Sequence, residues 1–173
     1  MDNFTDGEAD RLCTKYFNAE KHESLLFVLV GLMAISLATY FLIKVKQTFY
    51  NGMSYPLIAI ALIQIAVGSS VYFRSPKDIL RVEHILQTDQ QKIETEEIPR
   101  MEVVMKNFVI YRWVEIVLLF AGIIFFFYFK PMTPWKGIGL GLSIQSEFLL
   151  QLDYFAESRG KIYLDYLGTM IWL

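Results

Sequence analysis

The sequence predicts an all-α integral membrane protein, a four-helix bundle with a helical hairpin outside the membrane between the second and third spans. Of its 173 residues, 54% are hydrophobic and 16% are aromatic. These residues are gathered into four long runs, whereas a soluble domain of this length would distribute them periodically. A bilayer core about 30 Å thick requires roughly 20 helical residues, and all four runs approach or meet that length. The predicted transmembrane helices are 25–43, 57–73, 112–129 and 134–153.

The first span is expected to remain as an anchor behind a polar N-terminal arm, 1–24. The arm contains both acidic and basic side chains, whereas a cleaved signal peptide begins with a short basic region. No small-x-small cleavage site follows the span, which ends in Tyr40-Phe41-Leu42-Ile43. We therefore expect residues 1–173 to form a single membrane domain.

Proline and glycine mark the expected ends of the later spans. Pro56 can begin the second span, because the missing N–H of proline costs nothing in a first helical turn. Thr133 and Pro134 form an N-cap and first-turn pair that opens the fourth span, and Gly160 stands where that helix should stop. The remaining segment, 161–173, has an apolar stripe and is predicted to lie along the lipid headgroups.

The polar segment 75–110 is predicted to form a helical hairpin outside the membrane. Ser75 and Pro76 are a start signal for its first arm. Apolar residues then recur at near-helical intervals until Ile98-Pro99 interrupts the pattern, and the second arm continues into the third span. We favour a linker whose two arms cover each other's apolar faces. The alternative is a docking surface for another protein.

Four spans would place the N-terminus, the hairpin and the C-terminus on the same side of the membrane. That side carries twelve of the 16 Lys and Arg residues, an excess that is typical of the cytoplasmic side. We therefore expect both termini to be cytoplasmic. The two short loops on the opposite side are nevertheless basic and without acids, and contain Lys44, Lys46, Lys130 and Lys136.

One carboxylate lies inside the fourth span. An unpaired Glu147 within hydrocarbon costs roughly 3 kcal/mol, so we expect its face of the helix to be turned toward protein, water or a ligand. At about 100° per residue, Ser143 and Gln151 lie on the same face as Glu147. The stripe predicts a site inside the bundle, with Glu147 as its buried anchor.

The polar ends of all four spans fall in the same leaflet, on the side of the hairpin. On the third span, Arg112 and Glu115 are one turn apart and share a face. The predicted ligand-binding residues are Glu147, Arg112, Glu115, Gln151, Ser143, Asp153 and Arg74. A structural interpretation stays open for several of them, because Arg112 can snorkel to the surface with Glu115 as its partner, and Asp153 can face solvent.

The leading functional hypothesis is a non-enzymatic membrane protein whose polar leaflet forms a vestibule open toward the cytoplasm. The vestibule would bind a small ligand, a lipid headgroup, an ion or a partner helix, or would line the pore of an oligomeric channel or transport subunit. A pocket around Glu147 within one chain would favour binding, and a stripe on a symmetry axis would favour a pore. A stripe that faces lipid would imply a missing partner chain.

Two alternatives remain open. In the first, the protein is a membrane-embedded enzyme acting on a lipid or isoprenoid headgroup, with Glu147 or Glu115 as general base and Arg112 or Arg74 holding a phosphate. In the second, it is a structural subunit of a larger membrane complex, with Glu147 paired to a charge on another chain. No combination of residues is catalytically distinctive, so no catalytic residue is assigned.

Sequence motifs for metal, cofactor and nucleotide chemistry are missing. His22 and His84 are far apart and no Glu-x-x-His occurs, so neither a metal site nor a cofactor is expected. There is no P-loop and no G-x-S-x-G elbow, and no basic stripe suggests nucleic acid. Expected partners are membrane lipids and either a second copy or another membrane protein. The G-x-x-x-G spacing of Gly137 and Gly141 suits close packing within the chain or, alternatively, a homo-oligomer contact.

Overall fold

The computed structural model describes the backbone of residues 3–88 and 91–170, and side chains within 14–85 and 91–169. These residues are almost entirely helical, and no strand occurs among them. The all-α prediction is therefore confirmed. The four long helices are α1 Asn3–Tyr40, α2 Thr48–Thr88, α3 Ile98–Tyr128 and α4 Pro134–Met170.

Two short π-helical turns lie next to these helices. Phe41–Val45 extends α1, and Ile93–Glu97 leads into α3. After the first turn, Lys46 adopts a left-handed conformation with φ 53°, and Met132, in the α3–α4 loop, has φ 63°. These residues reverse the chain at one end of the bundle.

All four helices are longer than the hydrocarbon thickness requires. The 41 residues of α2 correspond to about 60 Å at 1.5 Å per residue, roughly twice a bilayer core. Three helices in the described part of the chain are long and apolar enough to cross a membrane: Thr14–Val45, Thr48–Ile85 and Ile93–Tyr128. The protein is thus a helical membrane protein. α4 is not among these three helices, because polar residues and glycines lower the mean hydropathy of its apolar run. The four-span count and the side of the termini therefore stay predictions.

The order of the helices across the bundle differs from their order in the chain. α1 packs along α2, α2 also packs on α4, and α4 packs on α3. α4 therefore lies between α2 and α3. α3 has α4 as its main neighbour. This arrangement makes α4 the element on which most polar contacts converge.

Two separate apolar cores stabilise the two halves of the bundle. The membrane half contains small residues, and its buried members are Ala34, Ala38, Met53, Leu57 and Ala61. The polar half has a core to which every helix contributes, with buried members Phe17, Val82, Ile85, Ile93, Met101, Tyr163 and Leu167. The predicted hairpin is thus one half of a four-helix extension. Its apolar faces are covered by α1 and α4 as well as by each other.

Three predicted boundaries are wrong. Pro56 and Pro76 both lie inside α2, so neither begins a helix, and Ser75 is fully buried with its hydroxyl donating to the Val71 carbonyl at 2.8 Å. α4 does not stop at Gly160 but continues to Met170. Favourable tertiary packing of the extended helices outweighs these two local start signals and one local stop signal.

The segment predicted to lie along the headgroups is instead the last part of α4 over its described residues. Tyr163 and Leu167 are buried in the core of the polar half. A Cβ added at Gly160 would lie 3.0 Å from the Met105 sulfur, so α4 lies close to the side chains of α3 at this position. Residues 171–173 lie outside the described residues.

Glycines hold the membrane halves of the helices close together. A side chain at Gly137 would collide with the carbonyl oxygen of Phe49, and one at Gly52 with that of Pro134. On the other side of α4, a Cβ at Gly139 would lie 2.6 Å from the Gly122 carbonyl oxygen. The predicted close packing within the chain is confirmed.

Candidate functional site

The predicted anchor Glu147 lies on the outward face of α4. Its side chain is exposed, and it lines a shallow groove with Leu150, Gln151, Tyr154 and Phe155. All five residues belong to α4, so no second helix closes the groove. The expectation that Glu147 faces an enclosed site within one chain is wrong.

Three other predicted residues do come together, at the interface between α3 and α4. Glu115 is 5% exposed, and its carboxyl group contacts that of Asp153. Arg112 Nη1 lies 3.0 Å from Glu157 Oε2, and Lys161 Nζ lies 2.7 Å from Glu157 Oε1. The partner of Arg112 is therefore Glu157 on the neighbouring helix, and the predicted Arg112–Glu115 pair is not formed.

Two buried carboxylate oxygens of this cluster, Glu115 Oε2 and Glu157 Oε1, form no hydrogen bond with another described residue. Glu115 Oε2 is buried and has no donor among the described groups, because its neighbour Asp153 is also a carboxyl group. Two carboxyl groups can lie in contact when they share a proton. The cluster thus joins α3 to α4 through two contacts. One is between the carboxyl groups of Glu115 and Asp153, and the other is the ion pair of Arg112 with Glu157.

The remaining predicted residues lie elsewhere. Arg74 Nε is 3.0 Å from Asp78 Oδ2, and Arg74 Nη2 is 3.3 Å from Glu20, which ties α2 to α1 in the polar half. Burial raises the pKa of the Glu20 carboxyl group, and the charge of Arg74 opposes this shift. Ser143 donates to the Gly139 carbonyl at 3.0 Å. Ligand binding by these residues stays a prediction.

A buried amide pair in the membrane half escaped the sequence analysis. Gln145 on α4 donates through Nε2 to Gln64 Oε1 on α2, and both side chains are buried. The available signal was a glutamine near the middle of two apolar runs, Gln64 in the second and Gln145 in the fourth. Polar side chains at such positions are typical of contacts between membrane helices.

We expect Gln64→Leu to lower the free energy of unfolding by about 1 kcal/mol, since it removes a hydrogen bond and leaves the Gln145 amide unpaired. Denaturant unfolding in detergent micelles measures this change. In a double-mutant cycle with Gln145→Leu, the double variant should lose less than the sum of the single variants. Strictly additive losses would show that the two amides do not interact.

A second buried polar group, Glu97, connects three helices in the polar half. Its side chain is 1% exposed and lies at the end of the π-helical turn before α3. It accepts hydrogen bonds from Arg81 Nη2 at 2.8 Å, from Arg100 Nη2 at 2.6 Å and from the Tyr163 hydroxyl at 3.2 Å. Burial lowers the pKa of Arg100, but the hydrogen bonds and charge of Glu97 outweigh it, and the pKa lies above its usual range.

Fold and sites together define a helical membrane protein with polar contacts between helices in both halves. Comparison with known proteins adds no family: no family model, no curated protein and no solved structure matches this chain. In the part of the chain that the structure describes, no group of three or more His, Cys, Asp or Glu side chains could hold a metal ion.

Proposed function

We propose that this protein is a subunit of a larger membrane assembly, and that the outward face of α4 binds a transmembrane helix of a different chain. The supporting observation is the exposure of Glu147 on a helix packed between the other three. A vestibule within one chain would require Glu147 to face inward. A partner chain is the arrangement that gives this carboxylate a neighbour.

The position of Glu147 below the expected edge of the membrane makes its exposure to lipid costly in free energy. Glu147 is six residues from Asp153, at the expected edge of the span, or about 9 Å at 1.5 Å per residue. A charged side chain near the bilayer centre costs roughly 3 kcal/mol. A helix that brings a cation or hydrogen-bond donor to this depth removes the cost, and the adjacent Gln151 amide can bind the same helix.

Charge complementarity favours a partner helix with a Lys or Arg side chain over a second copy of this chain. The two arginines in the same leaflet already have carboxylate partners: Arg112 pairs with Glu157, and Arg74 pairs with Asp78. A second copy would therefore bring no free arginine to Glu147. A different chain with a Lys or Arg side chain inside its transmembrane span would bring a free cation to Glu147.

Photo-crosslinking in the native membrane tests this proposal. We expect p-benzoylphenylalanine in place of Phe148 to give one adduct of defined mass with another membrane protein, whose crosslinked peptide is apolar and contains Lys or Arg. Glu147→Leu should reduce the adduct at least tenfold, which corresponds to about 1.4 kcal/mol. The same change should leave the unfolding temperature of the purified chain unchanged or raised, because Glu147 forms no hydrogen bond or ion pair with another residue that the structure describes.

The matched control replaces Phe120 on α3, a phenylalanine that is 60% exposed, against 49% for Phe148. This position should give only lipid adducts. Equal protein adducts from both positions, or no loss with Glu147→Leu, would contradict the proposal. An adduct of twice the mass of the chain would show that the partner on α4 is a second copy of this chain, and would contradict the proposal of a different chain.

A further inference from the structure

Acidic residues are excluded from one end of the molecule. The chain has 18 acidic residues, yet none lies between Glu23 and Asp78 or between Glu115 and Glu147. These two stretches contain the α1–α2 loop and the α3–α4 loop. The end of the bundle that these loops form is here called the lysine end, after its four cations Lys44, Lys46, Lys130 and Lys136.

The four lysines have no counter-ions among the side chains that the structure describes. Lys44, Lys46 and Lys130 are exposed and Lys136 is half-buried. None of them forms an ion pair with another described residue. In the polar half, by contrast, five arginines and Lys161 are paired with carboxylates. The lysine end therefore carries an uncompensated positive charge.

Backbone contacts fix the two loops beside each other. Gly137 packs against the Phe49 carbonyl, and Gly52 packs against that of Pro134, so the first turns of α2 and α4 touch. Lys136 is held with its Nζ 4.5 Å from the centre of the Phe126 ring, a cation–π contact. The lysines thus project from one compact surface.

Aromatic residues place this surface at the level of the lipid headgroups. The surrounding exposed aromatic side chains are Tyr40, Tyr55, Tyr128 and Trp135. Tyr and Trp are enriched at the membrane–water interface, where their rings lie among the headgroups. Lysines in the same layer meet lipid phosphates before any other anion.

We infer that the lysine end binds the phosphate groups of anionic phospholipids through Lys44, Lys46, Lys130 and Lys136. Clustered lysines at a membrane surface attract anionic lipids, and the absence of competing carboxylates leaves these four ammonium groups free to do so. This inference is independent of the partner surface on α4.

Lipid titration of the purified full-length protein in neutral detergent tests the inference. The probes are phosphatidylglycerol, phosphatidylcholine and inorganic phosphate, with bound lipid counted by native mass spectrometry. We expect half-saturation by phosphatidylglycerol at a concentration at least tenfold lower than by phosphatidylcholine, with the difference shrinking as salt rises. The Lys44→Gln, Lys46→Gln, Lys130→Gln, Lys136→Gln variant should lose this preference.

A charge-matched control carries Lys→Gln changes at four exposed lysines elsewhere, Lys15, Lys77, Lys92 and Lys106, and should keep the preference. A triple variant that retains Lys136, and with it the Phe126 contact, should show a reduced preference if the fourfold variant fails to fold. Equal losses in the control, an unchanged preference in the lysine variants, or competition by inorganic phosphate at concentrations equal to the lipid would overturn the inference.

Discussion

Glu97→Ala is expected to lower the free energy of unfolding by about 3–5 kcal/mol, the typical effect of removing one partner from a buried ion pair. The carboxylate accepts from Arg81, Arg100 and Tyr163. Its loss leaves the Arg100 guanidinium beside the apolar core of the polar half without its anion, and leaves Arg81 with only the longer contact to Asp78 at 3.8 Å. We expect α2, α3 and α4 to separate in this half first, since each contributes a donor.

Denaturant unfolding measures the loss of free energy of unfolding. Limited proteolysis detects the separation of the helices in the polar half. Cleavage should become much faster within the hairpin, while the membrane half stays protected by its own core. Glu94→Ala is the matched control, because Glu94 lies on the same π-helical turn and is exposed; a change within about 0.5 kcal/mol is expected there. Comparable losses for the two variants would show that Glu97 does not connect the helices.

Gly137→Leu is expected to have an effect of similar size in the membrane half, a loss of about 3 kcal/mol, at the upper end of the typical cost of overpacking. Its Cβ would overlap the Phe49 carbonyl oxygen, and a backbone atom cannot move aside as a flexible side chain can. α2 and α4 would have to separate, which also breaks the Gln64–Gln145 hydrogen bond. Thermal unfolding and the yield of monodisperse protein in detergent report this loss.

Gly168→Ala is the control for this variant. Gly168 is also in α4, but an added Cβ would meet nothing within 4 Å. Alanine should therefore be neutral or should stabilise the helix by up to about 1 kcal/mol. If Gly137→Leu were as stable as Gly168→Ala, close contact between α2 and α4 would not be required for folding.

The sequence was sufficient for the features that depend on composition and local spacing. Apolar runs predicted membrane helices, and the spacing of Gly137 and Gly141 predicted close packing within the chain. The predicted helix start at Pro76 and the predicted helix stop at Gly160 were wrong, because both residues lie where long helices gain more from tertiary packing than the local penalty costs. The local sequence pattern does not indicate this gain in packing energy, because it depends on contacts with the other helices.

The polar contacts were only partly predictable for a related reason. Arg112 and Glu115 do share a face of α3, as their spacing indicated. Their partners, however, are set by the register of α3 against α4, which brings Glu157 to Arg112 and Asp153 to Glu115. Glu97 lies in an acidic stretch that resembles a solvated surface, and its partner Tyr163 is 66 positions away.

The uninterrupted course of α4 has a mechanical consequence. This helix passes from the membrane-half core into the polar-half core without an internal proline, so it is stiff along its whole length. Tilting one end of α4 must therefore move its other end. A neighbouring chain that tilted α4 from its outer face would displace Tyr163 and Leu167, and with them the core of the polar half.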